Sequence, residues 1–172
     1  MTFNRTKYID LIMYILSQCS YKPNFGKTVL CSIMYFIDFG YYELYGELLT
    51  DETYIKSRRG IKPKHFFEIT QELISKNQLF LRKEDYYSRK IHRYFPTIIP
   101  TPHFNPQEME IINMAINKLS NSNASSITQY ARHDSPILVA DIGDDIDFRY
   151  VFSRDRRYSL LNHPTLKEGG DS

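Results

Sequence analysis

Histidine and cysteine are the most chemically versatile side chains of this sequence, and they form no catalytic or metal-binding pattern. The five histidines are scattered without HExxH spacing, and GxxxxGK[ST], GxGxxG and CxxC are all absent. Cys19 and Cys31 stand 12 residues apart with no histidine nearby. Both lie in apolar, helix-like segments, which favours buried free thiols over a disulfide. We therefore expect no metal and no cofactor.

Two acidic motifs also invite a chemical interpretation. His133-Asp134-Ser135 holds the residue types of a hydrolase triad, but adjacent side chains in one loop cannot converge as a triad requires. A local capping or turn role is predicted for Asp134 instead. The acidic run 141–147 surrounds Gly143 without EF-hand spacing or its distal glutamate, which predicts a solvated turn. No residue is assigned as catalytic, and we do not expect an enzyme.

Asp38 is a lone acid in the most apolar segment, within Tyr35-Phe36-Ile37-Asp38. One hypothesis places its carboxylate in solvent or beside a base such as Lys27 or Arg59. The other buries it, where charge-assisted hydrogen bonds would order the Arg58-Arg59-Gly60 loop. The sequence leaves both hypotheses open, and neither makes Asp38 a catalytic residue.

The composition predicts one packed domain. The chain has 172 residues, of which 42% are hydrophobic and 24% charged. No run of about 18 uncharged apolar residues exists, so no membrane span is expected. The first ten residues carry charge and lack a small-residue cleavage site, which does not fit a signal peptide. We expect a cytoplasmic protein.

Charge is distributed unevenly along the chain. Residues 54–93 hold 11 Lys/Arg and 4 Asp/Glu, whereas the rest holds 11 Lys/Arg and 16 Asp/Glu. A basic middle segment fits a nucleic-acid face, a docking face for an acidic protein, or complementarity within the fold. The sequence does not choose among these three.

Hydrophobic periodicity predicts a mainly α fold with a small β element (α+β). Asn105-Pro106 with Glu108 has the pattern of a capping box, and Gly46 is a natural helix end. A single domain is predicted over 1–164, followed by a polar tail at 165–172. The predicted elements are helices near 6–19, 26–45, 62–76 and 106–119, short helices ending near Tyr130 and Ala140, a hairpin at 78–83 and 88–95, and a strand at 146–152.

The order of helices followed by a basic hairpin also fits a winged-helix DNA-binding regulator. The helix over 62–77 would then be the recognition helix, and Arg82, Lys83, Arg89 and Lys90 would form the wing. This remains the alternative function.

An ordered set of motifs resembles the Panacea domain, the SocA-like antitoxin family. The first motif runs from Lys27 to Thr50 and includes Met34-Tyr35-Phe36-Ile37-Asp38. Arg59-Gly60-Ile61-Lys62-Pro63 resembles the family's Gly-Pro turn, although Ile61 and Lys62 separate its two residues. A C-terminal Ser-His-x-x-Pro signature is similar to 132–136, with Ile137 where the family often has tryptophan. The residues that match the motifs are Lys27, Tyr35, Asp38, Gly46, Gly60, His133, Pro136 and Gly143.

The resemblance implies an antitoxin that neutralises a protein toxin by direct binding. The toxin is often encoded beside it, relatives are common on prophages, and in one branch the domain delivers the toxin to a ClpXP-type protease. Weak nucleic-acid binding or none is expected. Residue type alone selects the candidate partner contacts, because arginine and tyrosine anchor many protein interfaces. These candidates are Arg58, Arg59, Tyr86, Tyr87, Arg89 and Arg93.

Overall fold

The computed structural model describes residues 2–160, which form a mainly α-helical domain with a small β component. This confirms the predicted fold class. The tail predicted at 165–172 lies outside the described residues. The elements are α1 (Arg5–Cys19), α2 (Lys27–Tyr45), β1 (Tyr54–Ser57), β2 (Gly60–Pro63), α3 (Phe66–Ser75), β3 (Leu79–Tyr86), β4 (Arg89–Pro96), α4 (Pro106–Leu119), α5 (Ala124–Arg132), α6 (Ser135–Val139) and two 3-10 helices (Phe148–Ser153 and Arg156–Tyr158).

Helix α2 lies at the centre of the domain. Every residue from 29 to 41 is buried, because this segment is apolar around nearly its whole circumference. Helices α1, α4 and α5, strand β2 and the first 3-10 helix all pack against it. Gly46 ends α2 in the left-handed conformation, with a φ of 73°, as predicted.

The helices around α2 begin at side-chain caps. Asn4 caps α1 by accepting from the Lys7 amide. Asn105 and Glu108 form the predicted capping box at α4. Glu108 also pairs with Lys7, which ties the starts of α1 and α4 together.

Two antiparallel hairpins form separate two-stranded sheets. The predicted hairpin is β3–β4, paired from Leu79↔Pro96 to Tyr86↔Arg89. The other hairpin, β1–β2, pairs Tyr54↔Pro63 through Ser57↔Gly60. The predicted helix over 62–76 therefore begins later, at Phe66, because Lys62 and Pro63 belong to β2.

The predicted strand at 146–152 is wrong: Phe148–Ser153 is a 3-10 helix. Asp147 starts this helix by accepting from the Arg149 amide. Pairing with β1 ends at the bridge Ile55↔Asp145 and at the hydrogen bond from the Ile146 amide to the Tyr54 carbonyl. Within residues 2–160, the segment from Phe148 onward therefore pairs with no strand. The alternation of apolar and polar residues could not by itself distinguish a half-buried strand from a 3-10 helix lying on the surface.

Both cysteines are free and buried, as predicted. Burial raises the pKa of the Cys31 thiol to about 12, so this cysteine stays protonated at neutral pH. Among residues 2–160, no helix is both long enough and apolar enough to cross a membrane.

We expect Ile37→Ala to lower the free energy of unfolding by about 2–5 kcal/mol, because it leaves a cavity in the centre of the core. Ile37 is fully buried. Leu138→Ala is the matched control, since Leu138 is 55% exposed and its loss should cost less than about 0.5 kcal/mol. Urea unfolding measures both variants, and similar losses would contradict the central position of α2.

Candidate functional site

Asp38 is fully buried and binds neutral donors of the connection that follows α2. Its carboxylate accepts from the Thr50 amide at 2.7 Å, the Thr50 hydroxyl at 2.6 Å and the Tyr54 hydroxyl at 2.5 Å. The solvent-facing hypothesis is therefore wrong. The second hypothesis correctly predicts that Asp38 is buried. It is wrong that Asp38 orders the Arg58-Arg59-Gly60 loop, because within residues 2–160 its carboxylate binds Thr50 and Tyr54 and makes no ion pair with Arg58 or Arg59.

The burial of Asp38 and its hydrogen bonds have opposite effects on the pKa of its carboxyl group. Burial raises the pKa of its carboxyl to about 6, while the hydrogen bonds from Thr50 and Tyr54 act in the opposite direction. Because Tyr54 begins β1, the carboxylate fixes the point at which the β1–β2 hairpin leaves the core.

A second buried acid, Asp134, anchors the C-terminal part of the domain. Its carboxylate accepts from the Tyr35 hydroxyl at 2.8 Å and pairs with the Arg154 guanidinium, whose Nε lies 2.9 Å from Oδ1. Glu43 lies 3.2 Å from the same guanidinium. The predicted local role for Asp134 is thus incomplete: its carbonyl starts α6, but its side chain makes long-range contacts.

Three residues near Asp134 match the family motifs, and their surroundings differ from one another. His133 is exposed and contacts the Gln129 carbonyl, whereas Pro136 is buried. Gly143 has a φ of 94° and donates its amide to the Lys56 carbonyl at 2.7 Å, which joins the acidic turn to β1. The acids of that turn, Asp141, Asp144 and Asp145, are exposed. No group of histidine, cysteine or acidic side chains in residues 2–160 is placed to hold a metal ion.

The tip of the β1–β2 hairpin places two of the candidate contacts in solvent. Arg58 and Arg59 form its turn, and both are exposed. A small pocket lies beside Arg58, between this tip and α5, and its lining includes Lys56 and Arg132. Sequence reasoning missed both residues as members of a site, because α5 follows the hairpin by some seventy residues and no motif links them.

The tip of the β3–β4 hairpin carries the other candidates. Tyr87 is 84% exposed, adopts a positive φ of 51° and makes an edge-on contact with Tyr86 at 4.7 Å between ring centroids. Arg89 is exposed. Arg93 differs, since it donates to the Ser20 carbonyl at 2.7 Å and pairs with Glu84 at 2.9 Å. Arg93 therefore attaches the hairpin to the end of α1.

An exposed apolar surface lies near the C-terminal end of the described chain. Each of its four side chains is more than half exposed, and α6 packs against the first 3-10 helix there. Of the four residues, the predicted half-buried strand at 146–152 contains only Phe152, so the sequence pattern did not indicate a shared exposed surface. The four residues are Leu138, Val139, Ile142 and Phe152.

The structure is a small, mainly helical domain from which two basic β-hairpins extend. The family model for the antitoxin SocA-like Panacea domain matches residues 30–136, and the chain belongs to this family. Comparisons with curated proteins and with solved structures give no significant match. The matched range contains Tyr35, Asp38, Asp134 and both hairpins.

We expect the pH dependence of stability to change in Asp38→Asn. The pKa of Asp38 is raised to about 6 in the fold, so between about pH 4 and 6 the native state holds a proton that the unfolded chain has released. This contribution to stability is complete only below about pH 4 and is lost as pH rises through 6. The wild-type advantage over Asp38→Asn should therefore be about 2 kcal/mol larger at pH 4 than at pH 7.

Urea unfolding at pH 4 and pH 7 measures this difference. Asp141→Asn is the control, because it removes an exposed carboxylate from the acidic turn and should show little change between the two pH values. An advantage of wild type over Asp38→Asn that is the same at both pH values would contradict the assignment.

Asp134→Ala should lower the free energy of unfolding by about 3–5 kcal/mol, because it leaves the Arg154 guanidinium buried without its main partner. Arg149→Ala is the control: its ion pair with Asp147 is exposed, and its loss should cost less than about 1 kcal/mol. Thermal or urea unfolding compares the two. Equal losses would show that the buried pair does not anchor the C-terminal segment.

Proposed function

We propose that this chain is an antitoxin that binds a protein toxin directly and neutralises it in the cytoplasm. Family membership supports the class of function. The observation that supports direct binding is the pair of hairpin tips. Arginine and tyrosine side chains extend into solvent there, from strands that pack against the helical core. The proposal assigns no catalytic residue and no cofactor.

The second hairpin supports a protein contact in particular. Tyr87 offers a large ring at low cost in side-chain entropy, and the Arg89 guanidinium beside it can form several hydrogen bonds. Arg93 and Glu84 hold the strands below the tip. Residues of this kind, held on a rigid base, contribute most of the binding energy at many protein interfaces.

The winged-helix alternative is less well supported by the geometry. The exposed side of α3 carries Phe67, which is 71% exposed, together with Glu68. An aromatic ring and a carboxylate on the would-be recognition helix do not suit a phosphate backbone. The hairpin after α3 is also a separate two-stranded sheet.

Co-expression with the adjacent gene tests the proposal. We expect this chain to restore growth under toxin expression and to capture the toxin in a pull-down. We expect most of this binding to persist at about 0.5 M salt, since apolar burial is not screened, whereas DNA binding falls with a log–log slope near −0.9 for each phosphate contacted. Sequence-specific nanomolar binding to its own promoter, with no protein captured, would favour the regulator.

The double variant Tyr87→Asn/Arg89→Gln should weaken toxin capture about tenfold or more, because it removes the anchors of the hairpin tip. Asparagine tolerates the positive φ at position 87, so the fold should persist. Tyr21→Asn removes a tyrosine of similar exposure after α1 and should leave capture unchanged. Equal capture by all three proteins would exclude this tip from the interface.

The toxin concentration distinguishes two modes of neutralisation. Occlusion leaves the amount of toxin unchanged while its activity falls. Delivery to a ClpXP-type protease lowers the amount of toxin, and this loss disappears in cells without the protease. Immunoblotting of the toxin in both strains separates the modes, and we propose occlusion.

A further inference from the structure

We propose that the pocket beside the β1–β2 hairpin binds the carboxylate of an aspartate or glutamate side chain on an acidic segment of the toxin. This inference rests on the proposed function and identifies a docking point for it. The pocket has a volume of about 50 Å³. A single water needs about 10–15 Å³ by the same measure, so the space accommodates a carboxylate and its adjoining methylene.

Three cationic side chains line this pocket, from two elements. Arg58 comes from the hairpin turn and Arg132 from the last turn of α5, and no acidic side chain within residues 2–160 pairs with either. The Lys56 ammonium donates to the Ile137 and Ala140 carbonyls, both at 2.9 Å. An ammonium has three donors, so Lys56 retains one for a ligand.

The rest of the pocket lining mixes apolar and hydroxyl-bearing side chains. The apolar members are Ile61, Ala131 and Ile137, and the hydroxyl-bearing members are Ser32, Ser57 and Thr128. The apolar members exclude water from one side of a bound carboxylate, which strengthens its attraction to the cations. A bidentate guanidinium contact would also fix its orientation.

The pocket is already formed in the free protein. The Ser57 hydroxyl donates to the Gly60 carbonyl at 2.8 Å across the turn. Gly60 has a φ of 127°, and a Cβ there would lie 3.5 Å from the Thr128 hydroxyl oxygen and 3.9 Å from a Thr28 methyl. The tip therefore sits close against α5 and α2, so binding requires little ordering of the chain.

Charge favours an acidic protein segment as the occupant. Residues 54–64 contain five basic and no acidic residues, so an acidic partner would be attracted to this hairpin. The three cations of the pocket line one small space, whereas a nucleic-acid backbone needs cations spaced along a groove. A single carboxylate fits this arrangement better than a row of phosphates.

A fluorescein-labelled peptide of twelve residues with alternating glutamate and glycine tests the pocket on the intact protein. Fluorescence anisotropy should show binding at least tenfold tighter than for the matched glutamine–glycine peptide. Arg58→Gln/Arg132→Gln should weaken it about tenfold or more. Lys76→Gln/Lys83→Gln removes the same charge from the residue after α3 and from β3, and it should change binding less than twofold. Amide resonances of Gly60 and Ala131 should shift on titration.

Absence of glutamate-peptide binding, equal losses in the two double variants, or no shift at Gly60 and Ala131 would overturn the inference. So would a 20-base-pair DNA duplex that loses binding in Arg58→Gln/Arg132→Gln while the peptide does not. Unchanged melting temperatures establish that the variants fold.

Toxin capture distinguishes this inference from the proposed function. If wild type captures the toxin and Arg58→Gln/Arg132→Gln captures it equally well, the pocket inference fails and the antitoxin proposal stands. If the peptide binds at the pocket and wild type captures no product of the adjacent gene, the antitoxin proposal fails and the pocket stands as an acidic-peptide site.

Discussion

Complete burial of α2 is the constraint on which the other features of this domain depend. A helix that is apolar around its circumference must be enclosed, and α1, α4, α5 and β2 supply the enclosure. The side chains of Tyr35 and Asp38, which α2 carries into the core, must find partners there because unpaired polar groups are costly to bury. Asp38 finds its partners in the connection after α2 and at the start of β1, and Tyr35 finds its partner far along the chain, at Asp134. These contacts set the positions of those segments.

Asp38 and Tyr35 thus each position part of the surface. Asp38 holds Thr50 and Tyr54 and fixes where β1 begins, so the hairpin bearing Arg58 emerges at a defined place. Tyr35 binds Asp134, which in turn pairs with Arg154. These contacts bring the end of α5 and the end of the first 3-10 helix onto the same core. The cationic pocket lies where β1–β2 and α5, both positioned in this way, approach each other.

The tertiary structure gives the arginines of this protein two different roles. Arg93 and Arg154 bind backbone carbonyls or carboxylates of the protein itself, and they hold elements together. Arg58 and Arg132 have no acidic partner within residues 2–160 and remain available to a ligand. Net charge per segment could not make this distinction, because it counts all four alike.

The sequence by itself determined the helical class, the central helix, its Gly46 end, the capping box at Asn105 and the β3–β4 hairpin, because these depend on local periodicity and on residues a few positions apart. The ordered motifs also identified the family. Only the tertiary structure decided that Lys62 and Pro63 pair with β1, that 148–153 forms a 3-10 helix, and that Asp134 meets Arg154. Only the tertiary structure placed Lys56, Arg58 and Arg132 around one pocket. These outcomes depend on which distant segments share the core, and contacts between distant residues leave no periodic signal in a single sequence.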